Sequence, residues 1–586
     1  MKYTNPALFL VSAVATLILV SCGGCGGEKT KKITGSPDVI VHELSDADML
    51  NPYNYSDAGA GYIIKNIYSS LMEIDFKSLE LTPLLAESRP QIEKTPDGGL
   101  RITYTIRPEA KWDNGEPIKP SDVEFSLKVI KNPKVKNERI RPYYEFITDF
   151  ITYPEEPRKF TIVSNTVYIL SEASSGDYAV IPEYFYDPKG LMKSFTIKGL
   201  TLEVDKFAND PKLAEFADDF NSEKRGREKE FISGSGAYKL EEWATGQRIV
   251  LTRKENWWGN EIKNGGDYFV ANAPKITYQT INDQTTALVA LKAGNLDVMR
   301  SIKSKDFATL PESEKFNENF NAHTPIQLAY TYIGLNTRKP QLADKNVRQA
   351  LAHLVDVDKQ IKIIKYGQAQ RVVGPIHPSK KTEYNTEIVP FDYNPEKAKQ
   401  MLTDAGWKDT DGDGVLDKVV NGQKVQMNLE FTYNSGNDER KSTALLLQED
   451  ARKVGININV VAQDWSVYLE NLKNHKFDVF FGAWVQSPIP NDHKQIYHSE
   501  SYNDGSNYTG FGNAASDALI DSIRVELDDT KRAAMNKRFQ VMLHEESPYI
   551  YMYAPTERIA IHKRFTNAEP SMMRPGYWEA GFALVK

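Results

Sequence analysis

The first 21 residues settle where the rest of the chain has to fold. Lys2 precedes an apolar run from Ala7 to Val20, and Ser21 places a small residue at its end. A positive start, an apolar stretch shorter than the roughly 18 residues a spanning helix needs, and a small residue at the cut are the parts of a secretory signal. No later run in the sequence approaches that length, so the remainder is expected to be a water-facing body outside the cytoplasm. Removing 1–21 from 586 residues leaves 565. That exceeds the size at which one hydrophobic core keeps growing, and about two or three domains are expected. A hydrophobic content of 40% and an aromatic content of 11% suffice for several packed cores. The formal charge of −7 becomes −8 after cleavage, because Lys2 is the only charged side chain lost. That balance offers no long-range attraction for nucleic acid. The locally basic stretch 132–141 is interleaved with Pro and Glu and reads as a solvated loop, not a phosphate-binding patch.

Leu19-Val20-Ser21-Cys22 resembles a bacterial lipoprotein signal. The resemblance implies that the Cys22 thiol takes a diacylglycerol, that the peptide bond before it is cut, and that the new amine is acylated. The mature protein would then hang from a membrane by lipid, on the periplasmic side or at the cell surface. The alternatives are an incidental cysteine or a Cys22–Cys25 redox pair, and the pair follows no strand and opens no helix. With Cys22 lipidated, Cys25 has no disulfide partner in this sequence. The Gly-, Lys- and Thr-rich residues 22–35 read as a flexible leash.

No repeat of 20 to 50 residues stands out, which disfavours solenoids and propellers. Short β-rich runs are expected as strands at 39–42, 103–106, 248–252, 275–281, 327–335, 427–432, 457–461 and 479–481. Helical spacing is read at 121–131, 285–293, 346–353, 395–405, 438–454, 465–472, 516–526 and 530–545, several of them opened by Ser, Thr, Asp or Asn. The fold class is α/β or α+β with mixed sheets.

From about Asp38 to Arg564 the sequence resembles the extracellular solute-binding proteins of family 5, the dipeptide and oligopeptide type, which are receptors of ABC importers. The resemblance rests on an ordered series of short motifs. It opens with Asn51-Pro52 and a following helix read as 59–71, then Pro83-Leu84-Leu85-Ala86-Glu87-Ser88 and Arg107. Trp112-Asp113-Asn114-Gly115-Glu116-Pro117 with Ser121-Asp122-Val123-Glu124-Phe125-Ser126-Leu127 is the most specific stretch. Gly234-Ser235-Gly236-Ala237-Tyr238, Trp257-Trp258-Gly259, Ala293-Gly294-Asn295-Leu296-Asp297, Asn336-Thr337, Val347-Arg348-Gln349-Ala350-Leu351 and Gly374-Pro375-Ile376 follow. Residues 398–406, 465–469, Phe477-Asp478 and Trp484 close the series. The resemblance implies a two-lobed clamshell with an inserted domain: lobe 1 at 36–72, 197–300 and 555–586, the inserted domain at 73–196, and the opposing lobe at 301–554. A ligand would be enclosed between the lobes by hinge closure.

By the same resemblance, Trp484 and Trp465 would line the ligand cavity, where a rigid apolar wall with one N–H suits varied ligands. The bland alternative is two core tryptophans. Ser56, Asp57 and Ala58 correspond to the segment that lies along the backbone of extended peptides in relatives, or to an ordinary turn before a helix. Peptide-binding relatives carry an aspartate shortly after the tryptophan, where it pairs with the peptide α-ammonium. Here Trp484-Val485-Gln486-Ser487 places Ser487 there. An ammonium enclosed without a counter-charge costs several kcal/mol, so another acid, such as Asp492, must serve, or the ligand is a sugar, a metal chelate or a modified peptide.

Asp409, Asp411, Asp413 and Asp417 occupy positions 1, 3, 5 and 9 of a loop with Gly at position 6, the spacing of an EF-hand. Val420 stands where the bidentate Glu belongs, so a tight turn competes with a structural calcium site. No catalytic residue and no other cofactor is expected. The zincin, nucleophile-elbow and phosphate-loop motifs are absent from the sequence, and Gly510-Phe511-Gly512 reads as a loop before a helix, not a dinucleotide fingerprint. The expected partners are a small-molecule or peptide ligand, an ABC permease with its ATPase, and the membrane through the lipid; a monomer is expected. A secreted hydrolase using two carboxylates across the cleft is the alternative from another class.

Overall fold

The computed structural model describes residues 35–586, Asn264 apart, so Cys22, Cys25 and nearly all of the leash lie outside the described residues. A seven-stranded sheet is assembled from the two ends of the chain and its middle. Its order is Tyr238–Ala244, Arg248–Arg253, Lys275–Thr280, Val39–Glu43, Val298–Met299, Ile559–His562 and Phe320–His323. Val39–Glu43 runs parallel to both of its neighbours, and the outer pairs are antiparallel. A second sheet of five strands runs Asn457–Gln463, Asn428–Asn434, Val479–Val485, Ala329–Leu335 and Tyr549–Tyr551. The third, of four antiparallel strands, holds Gln91–Lys94, Leu100–Thr105, Lys159–Ser164 and Ile147–Thr152.

The strands and helices read from the sequence appear within a few residues of their expected bounds, with two instructive differences. The helix expected over 59–71 is Ala58–Ile67. Tyr68 is extended, and Ser69–Ser70 pairs with Ala179–Val180, so tertiary pairing ends the helix early. The strand Gln91–Lys94 is exposed along its whole length and shows no apolar alternation by which to find it. No helix among the described residues is long and apolar enough to cross a membrane.

The strongest family-type motif is a structural knot. Gly115, at φ +83°, turns a tight hairpin closed by Trp112 N–H to Glu116 O at 2.9 Å. The buried Asp122 carboxylate then accepts the Trp112 indole at 3.2 Å and the Lys119 amide at 2.9 Å, fixing the first turn of Pro120–Lys131.

The chain passes between the two larger sheets twice, between His323 and Ala329 and between Pro555 and Ile559. These crossings pair with each other: Gln327 N–H donates to Pro555 O at 2.8 Å and Glu557 N–H to Pro325 O at 2.7 Å. Glu557 is 6% exposed, and its carboxylate accepts from Ser301 N at 2.9 Å, Arg558 N at 3.0 Å and Gln327 Nε2 at 2.7 Å.

In the five-stranded sheet, Ala329–Leu335 is buried throughout, as a central strand covered on both faces should be. Its aromatic side chains face glycines across the ladder: Tyr332 pairs with Gly482, and Gly334 with Phe480. A Cβ on Gly334 would lie 2.2 Å from Phe480 Cε1, and one on Gly482 would lie 2.4 Å from Tyr332 Cζ. Glycine lets each ring lie flat over the neighbouring strand. Gly334→Ala should therefore cost about 1–3 kcal/mol of stability by overpacking, read as a lower urea midpoint with an unchanged m-value.

Candidate functional site

A cavity of about 340 Å³ opens between the start of helix Ala58–Ile67 and the residues that follow strand Val479–Val485. It brings together Ser56, Asp57 and Ala58 from one sheet's side with Val485, Gln486 and Ser487 from the other. Tyr62, Lys65, Arg139, Leu328 and the C-terminal residues Met572 and Arg574 complete much of the wall.

The Ser56–Ala58 segment is held by carboxylates on its own side. Asp48 Oδ2 accepts from Ser56 N at 2.6 Å and Ser56 Oγ at 2.7 Å, and Asp57 caps the helix by accepting from Ala60 N at 2.8 Å. Asp57 is the sole acidic residue lining this cavity, whereas Lys65, Arg139 and Arg574 supply three cations. Burial works against the Lys65 ammonium, yet Glu73 at 2.8 Å outweighs it and holds the charge above the usual lysine range. Arg139 donates to Tyr55 O at 2.9 Å and lies 4.9 Å from the Tyr55 ring centroid. Burial also raises the Tyr62 phenol, so that residue stays neutral as a donor.

On the facing side, strand Val479–Val485 pairs with Ala329–Leu335 along its whole length, but with Asn428–Asn434 only at Val479 and Phe480. Beyond that point its second edge has no strand partner among the described residues. The Tyr468 hydroxyl donates to Phe481 O at 2.6 Å where the pairing stops, and Ala483 and Val485 are exposed. Trp465 opens helix Trp465–Lys473, is 54% exposed and stacks on Tyr468 at 5.8 Å, which places it near the start of the open edge. Neither Trp465 nor Trp484 is among the residues lining the 340 Å³ cavity. Trp484 is half-buried against the core of its own sheet and stacks on Tyr508 at 6.2 Å.

Ser487 begins a loop fastened from behind. Gln486 N donates to Leu328 O at 2.7 Å, and its side-chain amide donates to Pro375 O. Lys380 Nζ reaches Ile489 O and Asn491 Oδ1, and burial lowers this lysine to about 8. Asp492 is not free to meet a ligand amine: it accepts from the Tyr168 hydroxyl at 2.9 Å, Arg524 Nε at 3.0 Å and Lys494 N at 2.9 Å. The Ser487 hydroxyl has no hydrogen bond among the described residues.

The aspartate loop lies elsewhere. Single carboxylate oxygens of Asp409, Asp411 and Asp413 come within 4.8 Å of one another, all exposed. Asp417 does not join them; it is buried, accepts from Thr410 Oγ1 at 2.7 Å, and shares Lys424 with Asp411. Asp409 accepts from Gly412 N and Gly414 N, the bonds of a tight turn. Of the clustered three, Asp411 pairs with Lys424 at 2.6 Å, and Val420 stands where an EF-hand carries its bidentate acid.

The comparisons with known proteins now bear on this geometry. A model of the bacterial extracellular solute-binding proteins, family 5 (middle region), matches residues 80–507. The chain belongs to that family. It is 28% identical to the oligopeptide-binding protein AppA of Bacillus subtilis over 573 residues, covering 96% of this chain and 95% of that protein. The solved structure of AppA in complex with a nonapeptide superposes with a TM-score of 0.69 at 27% identity, covering 94% of this chain and 99% of that one. Heme-binding protein A of Haemophilus influenzae is 24% identical, with 92% of each chain covered. NikZ from Campylobacter jejuni, solved with Ni(L-His), shares the fold with a TM-score of 0.70 at 22% identity, covering 94% of this chain and 100% of that one. This family 5 protein is thus a two-lobed solute-binding protein, and its relatives are binding proteins, not enzymes.

Arg139, Tyr62 and Arg574 were not marked by the sequence reading. Arg139 lies in the stretch read as solvated, and Met572 to Arg574 carry no pattern that distinguishes them from any C-terminal segment.

His493, just beyond the Ser487 loop, donates from Nε2 to Asn536 Oδ1 at 2.9 Å, and burial pushes it down to about 4. Its folded value lies below the ordinary 6.5, so on acidification the unfolded chain takes the proton first. Stability should fall as the pH drops from about 6.5 towards 4. His493→Gln keeps an amide donor for Asn536 and should flatten that loss, seen as a smaller difference in Tm between pH 7 and pH 4.5. His377, also lowered to about 4 by burial, should leave part of the slope in place.

Proposed function

We propose that this family 5 protein is a lipid-anchored receptor that captures a short peptide between its lobes and hands it to an ABC permease driven by a separate ATPase. The observation that supports the peptide reading is the open strand edge running to Val485, facing the pinned Ser56–Ala58 segment across one cavity. An extended peptide can add to such an edge through its main chain, and main-chain pairing is indifferent to side-chain identity. Exposed Trp465 and the adaptable Met572 and Met573 would cover varied side chains without selecting one. Similarity to an oligopeptide-binding protein whose solved complex holds a nonapeptide points the same way.

Ser487 departs from an amine-binding acid, and Asp492 is engaged elsewhere. Asp57, with its second oxygen unbonded among the described residues, is the remaining carboxylate in the cavity and would meet a ligand ammonium. The protein would act as a monomer outside the cytoplasm, tethered through Cys22 by acyl chains that bury many methylenes at about 0.8 kcal/mol each.

Titration calorimetry with trialanine and N-acetyl-trialanine tests the reading. The free peptide should bind saturably and be recovered intact. Ser487→Asp should tighten it about tenfold or more through a charge-assisted pair, with no gain for the blocked peptide. An equal response of the two peptides, or no binding by either variant, moves the ligand class away from free peptides. For the anchor, Cys22→Ala should leave unlipidated precursor that no longer partitions into detergent; unchanged partitioning rules the anchor out.

A further inference from the structure

A second cavity, of about 590 Å³, lies between the four-stranded-sheet region and the opposing lobe. Its wall sets a group of large apolar and aromatic side chains, Tyr143, Phe146 and Tyr168 on one side and Val525 on the other, among the charged Arg139, Glu145 and Arg524. Tyr143 is 53% exposed and Val525 48% exposed, so large apolar groups here face open space inside a concavity. Isolated exposed apolar residues need no explanation, but several converging on one cavity of ligand size do.

Two further observations decide what fits there. Arg139 lines this cavity and the 340 Å³ cavity alike, its guanidinium held over the Tyr55 ring and bonded to Tyr55 O. The two spaces therefore share a wall residue. The far end is closed where residues 168 and 169 meet residues 492 and 524: the Tyr168 hydroxyl donates to Asp492, whose carboxylate also accepts from Arg524 Nε, and Ile169 N donates to Arg524 O at 2.9 Å. The Tyr168–Asp492 and Ile169–Arg524 contacts each join segments more than 300 residues apart in sequence.

We infer that this second chamber holds the distal part of the same extended ligand, taking a bulky apolar or aromatic side chain beyond Arg139. The chamber rests on the peptide reading of the first cavity. It gives the protein a preference for peptides long enough to pass Arg139 and apolar at the end that does so. The occupant would lie against Tyr168, which bonds the opposing lobe, so filling the chamber favours the closed arrangement.

Calorimetry compares trialanine with hexapeptides that extend it by two alanines and a phenylalanine at either end. Placing the aromatic ring in the chamber should tighten binding about tenfold or more for one of the two extensions. In the double variant Tyr143→Ala, Val525→Ser that gain should largely vanish, while the affinity for trialanine stays within about twofold of the parent. Both positions are half-exposed, and an unchanged Tm of the double variant shows that the fold is intact. If neither extension tightens binding, or the gain survives the double substitution, the chamber assignment is overturned while the peptide reading stands. If no peptide of any length binds, the peptide reading and the chamber fall together.

Discussion

The buried carboxylate of Glu557 ties together the two crossings that join the large sheets of this molecule. The chain crosses between its two large sheets at 323–329 and at 555–559, and the crossings are tied by a short antiparallel pairing. Glu557 gathers donors from both crossings and from Ser301, a residue at φ +53° at the end of the seven-stranded sheet. A joint made of few residues can absorb changes in backbone angle while each sheet keeps its own packed core. Beside it, Glu439 of helix Asp438–Lys453 accepts from Ser304 Oγ at 2.9 Å and Lys365 Nζ at 2.9 Å. Burial lowers Lys365, with Glu439 opposing that shift. Lys365 is buried while the Glu439 side chain is 40% exposed, so removing the carboxylate would leave a buried ammonium without its partner.

The distribution of carboxylates shapes the cleft. Asp48 binds the Ser56 backbone and hydroxyl, Asp57 caps a helix, and Asp492 links Tyr168 to Arg524. Each keeps a segment in place, and the acid that lines the 340 Å³ cavity is Asp57 alone. Under the peptide reading, recognition would fall to the main chain at the end of Val479–Val485 and to the cations Lys65, Arg139 and Arg574, with Trp465 near the start of the open edge. Such a site would favour shape and backbone over individual side chains, and solved structures that share the fold hold ligands as unlike as a nonapeptide and Ni(L-His).

Much of the fold was legible because the motifs that carry the family resemblance satisfy themselves locally. Asp122 caps its own helix and binds Trp112, ten residues away. Trp257 and Trp258 both donate to Ser235 O, and Arg348 binds Leu342 O and Ala343 O. The exposed edge strand Gln91–Lys94 was invisible for the opposite reason, since it buries nothing. The cleft was half legible. Ser56 to Ala58 and Val485 to Ser487 could be placed by resemblance, and the structure sets them around one cavity. Arg139 and Arg574 could not, because only the fold brings residues 139 and 574 beside residue 57. Trp484 lies within strand Val479–Val485, and its ring stacks on Tyr508, a contact that no spacing in the sequence announces.

Native mass spectrometry of the mature protein, purified without added ligand, addresses the central claim most directly. Capture along an open strand edge predicts a family of bound peptide masses of differing sequence, released unaltered when the protein is unfolded. A single non-peptide mass such as a metal chelate or a heme, or peptides recovered only as cleaved products, would contradict it.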